Sequence, residues 1–245
     1  MSDRSIEKLW HSLAAIGKIS AEDRDALIEL PFASRALEAG APVDRAEDDL
    51  RHCSILISGF AYCGKLLRDG SRQIVSLHVP GDFLGLGNIF QPANDRETRM
   101  MTPGSVAVIA APTLKSLLSV RPSIQNALWR QTAVEAAIFS EWLAGVGRRD
   151  AQGRIAHLLC EFAVRLRAAG LAGQDRFDLP MTQAQLADAT GLTAVHVNRV
   201  LHSLKQSGLV ALEKRTITIK DWERLVAMAD FDPGYLQSEP MTVRT

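Results

Sequence analysis

Residues 182–205, TQAQLADATGLTAVHVNRVLHSLK, read as two short helices joined by a tight turn. Such a pair needs a small residue where the helices cross, a residue that tolerates positive φ in the turn, and apolar residues that seat the second helix on the first. Ala187, Gly191, Val197 and Val200 meet those needs at successive offsets of four, six and three. Leu186, Leu192, Leu201 and Leu204 complete the expected buried face. Thr182, with Gln185 three residues later, forms a capping box that starts the first helix just after Pro180. The joint pattern is a helix-turn-helix, whose second helix lies in the major groove of DNA; the bland alternative is an ordinary αα-hairpin.

Gly208 ends the second helix, and Leu209-Val210-Ala211-Leu212 then Thr216-Ile217-Thr218-Ile219 read as two short strands around the charged turn Glu213-Lys214-Arg215. A helix-turn-helix followed by a β-hairpin is a winged helix. Residues 191–220 carry five cations, Arg199, Lys205, Lys214, Arg215 and Lys220, against the single acid Glu213, although the whole chain has a formal net charge of zero. Local charge sets phosphate affinity, so overall neutrality excludes nonspecific coating of nucleic acid but not a compact site-reading module.

With 245 residues and 47% hydrophobic content, the chain can build one large or two modest domains, which leaves room for a sensor beside the DNA module. The first ten residues, MSDRSIEKLW, lack an apolar signal core. No stretch approaches the roughly 18–20 apolar residues that span a bilayer. These features predict a cytoplasmic protein with no membrane partner. The three cysteines, Cys53, Cys63 and Cys160, are too few and too scattered for a disulfide framework and fit a reducing compartment.

Residues 5–30 read as two short amphipathic helices, the first with Ile6, Leu9, Trp10, Leu13 and Ile16 on one face and the second capped by Ser20. From about residue 32 to 112 the texture changes to short strand-like runs: Ser54–Ile57, Ala61–Leu66, Gln73–Leu77 and Val106–Ile109. Turn signals at Gly40, Ser58-Gly59, Asp69-Gly70 and Pro80-Gly81-Asp82 separate them, a spacing that suggests a sandwich or jelly roll. Pro122 to about Val146 is helical by pattern, with Leu128, Thr132, Ala136, Phe139, Leu143 and Val146 forming one seam at gaps of four and three. The seam either packs on the β domain or pairs two subunits. Pairing is preferred because a helix-turn-helix gains specificity by reading two half-sites roughly 34 Å apart in a symmetric dimer. Gly145 and Gly147 are expected to mark a hinge before the DNA module.

This order of elements, with its local sequence, resembles the Crp/Fnr transcription regulators, and the resemblance covers nearly the whole chain. It is carried by Leu56-Ile57-Ser58-Gly59, Asp69-Gly70-Ser71-Arg72-Gln73, Pro80-Gly81-Asp82-Phe83-Leu84-Gly85, Gly153-Arg154-Ile155-Ala156 and the helix-turn-helix. Within the family the chain looks most like alphaproteobacterial members with GLTxVHVNR recognition helices. The resemblance implies an α+β architecture: an N-terminal cyclic-nucleotide-binding-like β roll (jelly roll), a long dimerisation helix and a C-terminal winged helix-turn-helix that reads a palindromic operator. The corresponding boundaries are 1–121 for the sensor with its N-terminal helices, 122–147 for the dimerisation helix, 148–230 for the DNA-binding domain and 231–245 for a tail. It also implies a homodimer that works with RNA polymerase.

The positions of the second helix not committed to its buried face are Thr193, Ala194, Val195, His196, Asn198, Arg199 and His202. Arg199 suits guanine O6 and N7 in the major groove, and the family carries an Arg there. Asn198 suits adenine, Val195 a thymine methyl, and Thr182, Gln183 and Thr193 at helix N-termini suit phosphates, with Lys205, Lys214 and Arg215 supplying charge. The best-known members have Glu where Val195 stands, so the operator of this chain is expected to differ from theirs.

Gly81 to Arg99 aligns without a gap to the family's phosphate-binding cassette, with Gly85, Gly87 and Asn88 in the phosphate loop and Arg96 in place of the phosphate-binding Arg. Leu86 replaces the ribose-binding Glu, Glu97 replaces a small hydroxyl residue and would repel phosphate, and Phe139-Ser140 keep one hydroxyl of the base-contacting pair. An iron–sulfur sensor needs about four Cys, usually clustered, which these three do not supply. His52-Cys53 and His157 with Cys160 have metal-compatible spacing, and His52 and His78 are candidate haem ligands, but nothing singles them out. The reading is therefore a regulator with no assigned cofactor or metal and no enzymatic activity. The alternatives are a cyclic-nucleotide-responsive regulator, a constitutive DNA binder with a ligandless roll, and a cupin-like metalloenzyme fused to a DNA-binding domain. The last lacks a His-x-His pair, and neither a Ser-His-Asp set nor a Gly-x-Ser-x-Gly elbow is legible. An unpaired ribose hydroxyl costs about 1–3 kcal/mol. Titration calorimetry with cyclic AMP and cyclic GMP is therefore expected to show weak binding that leaves DNA affinity unchanged. Micromolar binding that Arg96→Ala abolishes and that tightens operator binding overturns this expectation.

Overall fold

The computed structural model describes residues 19–43, 52–89, 97–173 and 175–236. The chain divides between Ala133 and Val134 into two compact units. Of the two expected N-terminal helices, the first lies outside the described residues. The second is α1 (Ala21–Ile28), whose cap is a capping box: Asp23 N donates to Ser20 Oγ and Ser20 N donates to Asp23 Oδ2. Burial works to raise the Asp23 pKa, but hydrogen bonds from Ser123 Oγ (2.6 Å) and Ser20, with Arg121 nearby, outweigh it and hold the carboxyl below its ordinary value.

Among the described residues of the first unit, seven strands follow: β1 (Ala33–Leu37), β2 (His52–Ser58), β3 (Ala61–Leu66), β4 (Arg72–His78), β5 (Phe83–Leu84), β6 (Glu97–Met100) and β7 (Gly104–Ala110). They form an antiparallel four-stranded sheet in the order β1-β7-β2-β5 and an antiparallel three-stranded sheet in the order β4-β3-β6. The turn between β2 and β3 requires glycine at position 59. Its φ is 80°, and a Cβ there would stand 2.7 Å from Pro103 O. Strand alternation gives the larger sheet two apolar faces. Cys53, Ile55, Phe83 and Ile109 pack against Leu27 of α1, Leu114 of α2 (Ala111–Val120) and Ile124 and Leu128 of α3 (Pro122–Arg148). Leu56, Leu84 and Val106 face Val43, and Ala61 and Met100 of the smaller sheet.

Helix α3 corrects two expectations. Gly145 and Gly147 lie inside it, and Arg149 N still donates to Gly145 O at 3.1 Å. The chain breaks instead where Asp150 caps the next helix. Leu128 is spent on the first unit's core, whereas Thr132, Ala136, Phe139, Leu143 and Val146 remain exposed, Leu143 at 69%. The exposed residue at the head of that stripe is Trp129 (64%).

The second unit is built around α4 (Ala151–Ala168), with Asp150 Oδ1 accepting from Gly153 N at 2.7 Å. Then come β8 (Arg176–Asp178), α5 (Gln183–Thr190), α6 (Ala194–Gln206), β9 (Val210–Glu213), β10 (Thr216–Ile219), α7 (Trp222–Ala229) and a 3₁₀ turn, Pro233–Leu236. Strands β8, β10 and β9 form one sheet, with β10 in the middle. Phe231 and Leu236, which the sequence assigns to a tail, are buried.

A buried polar chain ties this unit together. Glu161 Oε2 accepts from Trp142 Nε1 (2.9 Å) and from Tyr235 Oη (3.0 Å), which is itself 3.1 Å from His157 Nε2. His157 Nδ1 stands 3.3 Å from Ala229 O, which only accepts, so Nδ1 carries the hydrogen there. One Tyr235 hydroxyl proton cannot serve both His157 Nε2 and an ionised Glu161. The chain is therefore satisfied only when it holds one further proton. Desolvation raises the Glu161 pKa against Arg165, Trp142 and Tyr235, and desolvation with Arg149 lowers that of His157. A carboxyl with a raised folded pKa contributes stability below its unfolded value and loses it as pH climbs through the folded one. The thermal midpoint of the wild type is thus expected to fall as pH climbs from the ordinary carboxyl value through the raised folded one and to level off above it, and Glu161→Gln, which removes the titrating group, is expected to flatten the fall. Parallel melting-pH curves for the two proteins refute a raised Glu161 pKa.

Candidate nucleic-acid interface and sensor cassette

The interface is built on the α5–α6 pair. Thr182 caps α5 as expected: Gln185 N donates to Thr182 Oγ1 (3.2 Å) and Thr182 N to Gln185 Oε1 (2.8 Å). Gly191 ends α5 at φ 65° and ψ 34°, a left-handed conformation that Gly adopts without steric cost, and Leu192 N donates to Ala187 O at 3.1 Å. Arg154 Nη1 donates to Thr190 O at 3.1 Å, closing the carbonyl end of α5. Helix α6 opens with Thr193 Oγ1 accepting from His196 N. It buries Val197, Val200, Leu201 and Leu204, one stripe at helical spacing. Leu186 and Ala187 are buried as expected, and Leu192 is half-buried.

Opposite that stripe, Thr193, Ala194, Val195, His196, Asn198, Arg199, His202 and Lys205 are all exposed, as are Thr182 and Gln183. Val195, at 71%, is among the most exposed large apolar side chains of the described residues. Two contacts were not legible as such in the sequence, one between residues fifteen apart and one an i, i+4 pair on a single helix. Asn198 Nδ2 donates to Gln183 Oε1 at 3.3 Å across the two helices, and His202 Nε2 is 2.9 Å from Gln206 Nε2. The wing turn exposes Lys214 and Arg215, with Lys214 at φ 58°. Strand β8, too short for a sequence pattern, braces the wing through Thr216 Oγ1 and Asp178 Oδ1 (2.6 Å).

The cassette is only partly assembled among the described residues. Arg96 and the Asn88 side chain lie outside them. Leu86 packs half-buried against the core cluster that contains Phe83 and Ile89, so it is a packing residue. Gly85 has a left-handed φ of 70°, and Gly87 is exposed in the 3₁₀ turn Leu86–Ile89. Glu97 alternates with buried Thr98 and Met100 along β6, and its carboxylate pairs with Arg99 Nη2 at 2.6 Å. Its charge is therefore matched on its own face of the strand, which weakens the expected repulsion of a phosphate. Phe139 and Ser140 are exposed on α3.

The other candidates for chemistry are engaged elsewhere. His52 and Cys53 are successive strand residues and so point to opposite faces. Burial pushes the Cys160 thiol pKa up, and both nitrogens of His157 have partners. No cluster of three or more metal-ligating side chains occurs among the described residues. The structure does bring together a Ser, a His and an Asp that the sequence reading did not foresee: Ser76 Oγ is 3.1 Å from His78 Nε2. His78 Nδ1 is 3.7 Å from Asp82 Oδ2, too far for a hydrogen bond, and that oxygen accepts from Val79 N at 2.9 Å. The set therefore pins the turn after β4.

Residues 34–121 match the cyclic nucleotide-binding domain model, and residues 153–228 match the Crp-like helix-turn-helix domain model. The transcriptional activator protein FnrL of Cereibacter sphaeroides is 31% identical over 202 residues, 81% of each chain. The chain belongs to the Crp/Fnr family of transcriptional regulators. The transcriptional activator protein Anr of Pseudomonas aeruginosa is 26% identical over 211 residues, 86% of each chain. The structure of FixK2 from Bradyrhizobium japonicum superposes with a TM-score of 0.73 at 26% identity, covering 81% of this chain and 98% of that one. This Crp/Fnr protein is thus a DNA-binding regulator with a β-roll sensor domain and a winged helix-turn-helix. A good bidentate contact contributes about 1–3 kcal/mol of base discrimination, so Arg199→Ala is expected to cost that much and to relax specificity at one base pair per half-site. Lys214→Ala is expected to weaken all sequences alike and reduce the salt dependence. Equal loss on all sequences for both variants, measured across single-base operator variants, contradicts the base-reading role of Arg199.

Proposed function

We propose that this regulator binds a palindromic operator as a homodimer, with α6 in the major groove and the wing along the backbone. The observation that carries the reading is the exposed stripe of α6, Val195, Asn198, Arg199 and His202, opposite a stripe wholly committed to the core. In this reading Arg199 reads a guanine, Asn198 an adenine and Val195 a thymine methyl, while Thr182, Thr193, Lys205, Lys214 and Arg215 engage phosphates. The exposed stripe of α3 from Thr132 to Val146, with Trp129 at its head, pairs the two subunits, since exposed apolar residues at alternating gaps of three and four suit a coiled-coil contact. Residues 1–121 serve as sensor, 122–147 as pairing helix and 148–236 as DNA-binding module. The last boundary includes Tyr235 because of its hydrogen bond to Glu161.

The roll takes an anion other than cyclic AMP, or no ligand, because a core leucine stands where the ribose needs an acceptor. An iron–sulfur cluster is not part of this reading, since the three cysteines are all buried, on β2, β3 and α4. The regulator acts in the cytoplasm with RNA polymerase as its partner. Selection of bound genomic fragments is expected to return a two-fold-related motif; a motif without that symmetry refutes the dimeric reading. Phe139→Asp is expected to leave the fold intact and yield monomers by ultracentrifugation, because it sets two carboxylates against each other in a buried contact. A dimeric variant assigns the stripe to another contact.

A further inference from the structure

We infer that Gln183 is a positioning residue for base reading, fixing the side-chain amide of Asn198 so that the pair selects an adenine at one position of each half-site. The inference rests on the DNA-binding reading and adds to it a role for a residue that does not itself contact the base. Gln183 opens α5 and Asn198 lies in the second turn of α6, fifteen residues apart in sequence. Both are exposed, yet Asn198 Nδ2 donates to Gln183 Oε1 at 3.3 Å.

A primary amide has two N–H donors and a carbonyl with two lone pairs. The contact with Gln183 occupies one donor and leaves Asn198 with one N–H and a whole carbonyl. Adenine presents an acceptor, N7, beside a donor, N6–H, on its major-groove edge, and an Asn amide matches both at once. Rotating the Asn198 amide alone by half a turn would set Oδ1 against Gln183 Oε1, acceptor against acceptor, so the amide reverses only if Gln183 turns with it. Val195 is apolar and His202 is engaged by Gln206 at 2.9 Å, so neither of these neighbours on the stripe competes for the amide. Ordering the Asn side chain before binding also lowers the entropy spent when it meets DNA.

The test measures affinities of wild type, Gln183→Ala, Gln183→Glu, Asn198→Ala and the Gln183→Ala/Asn198→Ala double variant on the selected operator and on every single-base variant of its half-site. Asn198→Ala is expected to lose about tenfold or more of the discrimination at one adenine position, the range of one bidentate contact. Gln183→Ala is expected to lose roughly three- to tenfold at the same position, with other positions and the salt slope unchanged, and the double variant is expected to be no worse there than Asn198→Ala. Gln183→Glu keeps the acceptor, so it is expected to retain discrimination while weakening all sites alike through repulsion of phosphates. If Gln183→Ala instead weakens every sequence equally and reduces the salt slope, Gln183 is a phosphate contact and the inference is overturned. Additive losses in the double variant, or lost discrimination in Gln183→Glu, overturn it as well. A wild type that selects no two-fold-related site refutes the DNA-binding reading itself, whereas a discriminating wild type that Gln183→Ala leaves unchanged refutes this inference alone.

Discussion

Helix α6 is held by one face only, and that constraint organises the DNA-binding unit. Val197, Val200, Leu201 and Leu204 are buried, and burying side chains of this size contributes about 1.5–3 kcal/mol each. The left-handed turn at Gly191 sets the direction in which α6 leaves α5, and Arg154 closes the carbonyl end that the turn would leave open. Once that face is spent, helical periodicity leaves no choice about the opposite one. Asn198, Arg199 and His202 are presented because their neighbours are anchored, and Gln183 and Gln206 then engage the side chains of Asn198 and His202.

The same economy applies in the first unit, where the larger sheet is covered on both faces. Strand alternation sends Cys53 and Ile55 to the helical side and Leu56 to the other, and Phe83 and Leu84 divide in the same way. Leu86, just beyond that strand, joins the helical-side cluster. A position that the resemblance assigns to ribose recognition is thereby spent on packing, and the ligand chemistry of the roll changes with it. Glu97 answers to a different constraint: at the start of β6 it faces Arg99, and the two charges meet on their own side of the strand.

The buried chain from Trp142 through Glu161 and Tyr235 to His157 fastens the interior of the second unit. A buried carboxylate costs several kcal/mol unless it is hydrogen-bonded and paired, and Glu161 accepts from Trp142 and Tyr235 with Arg165 at 3.6 Å. Tyr235 belongs to the 3₁₀ turn beyond α7, so the turn is fastened to the body of the unit by polar contacts as well as by buried Phe231 and Leu236.

The sequence by itself determined the elements whose signals are local. A capping box needs only Thr182 and Gln185, the turn only Gly191, and the wing only two alternating runs around a charged turn; Ala61–Leu66 was legible as a strand for the same reason. Family resemblance, which rests on such local motifs, was legible too. What only the tertiary structure decided are the elements whose pattern burial erases. Helix α4 is buried on nearly every side, so it carries no polar stripe to announce a helix, and β8 is three residues long. The fates of Leu128 and Trp129, adjacent and both apolar, depend on which one the first unit's core reaches. The contacts of Gln183 with Asn198 and of Glu161 with Tyr235 join residues far apart in the chain, and their chemistry exists only once packing has brought the partners within hydrogen-bond reach.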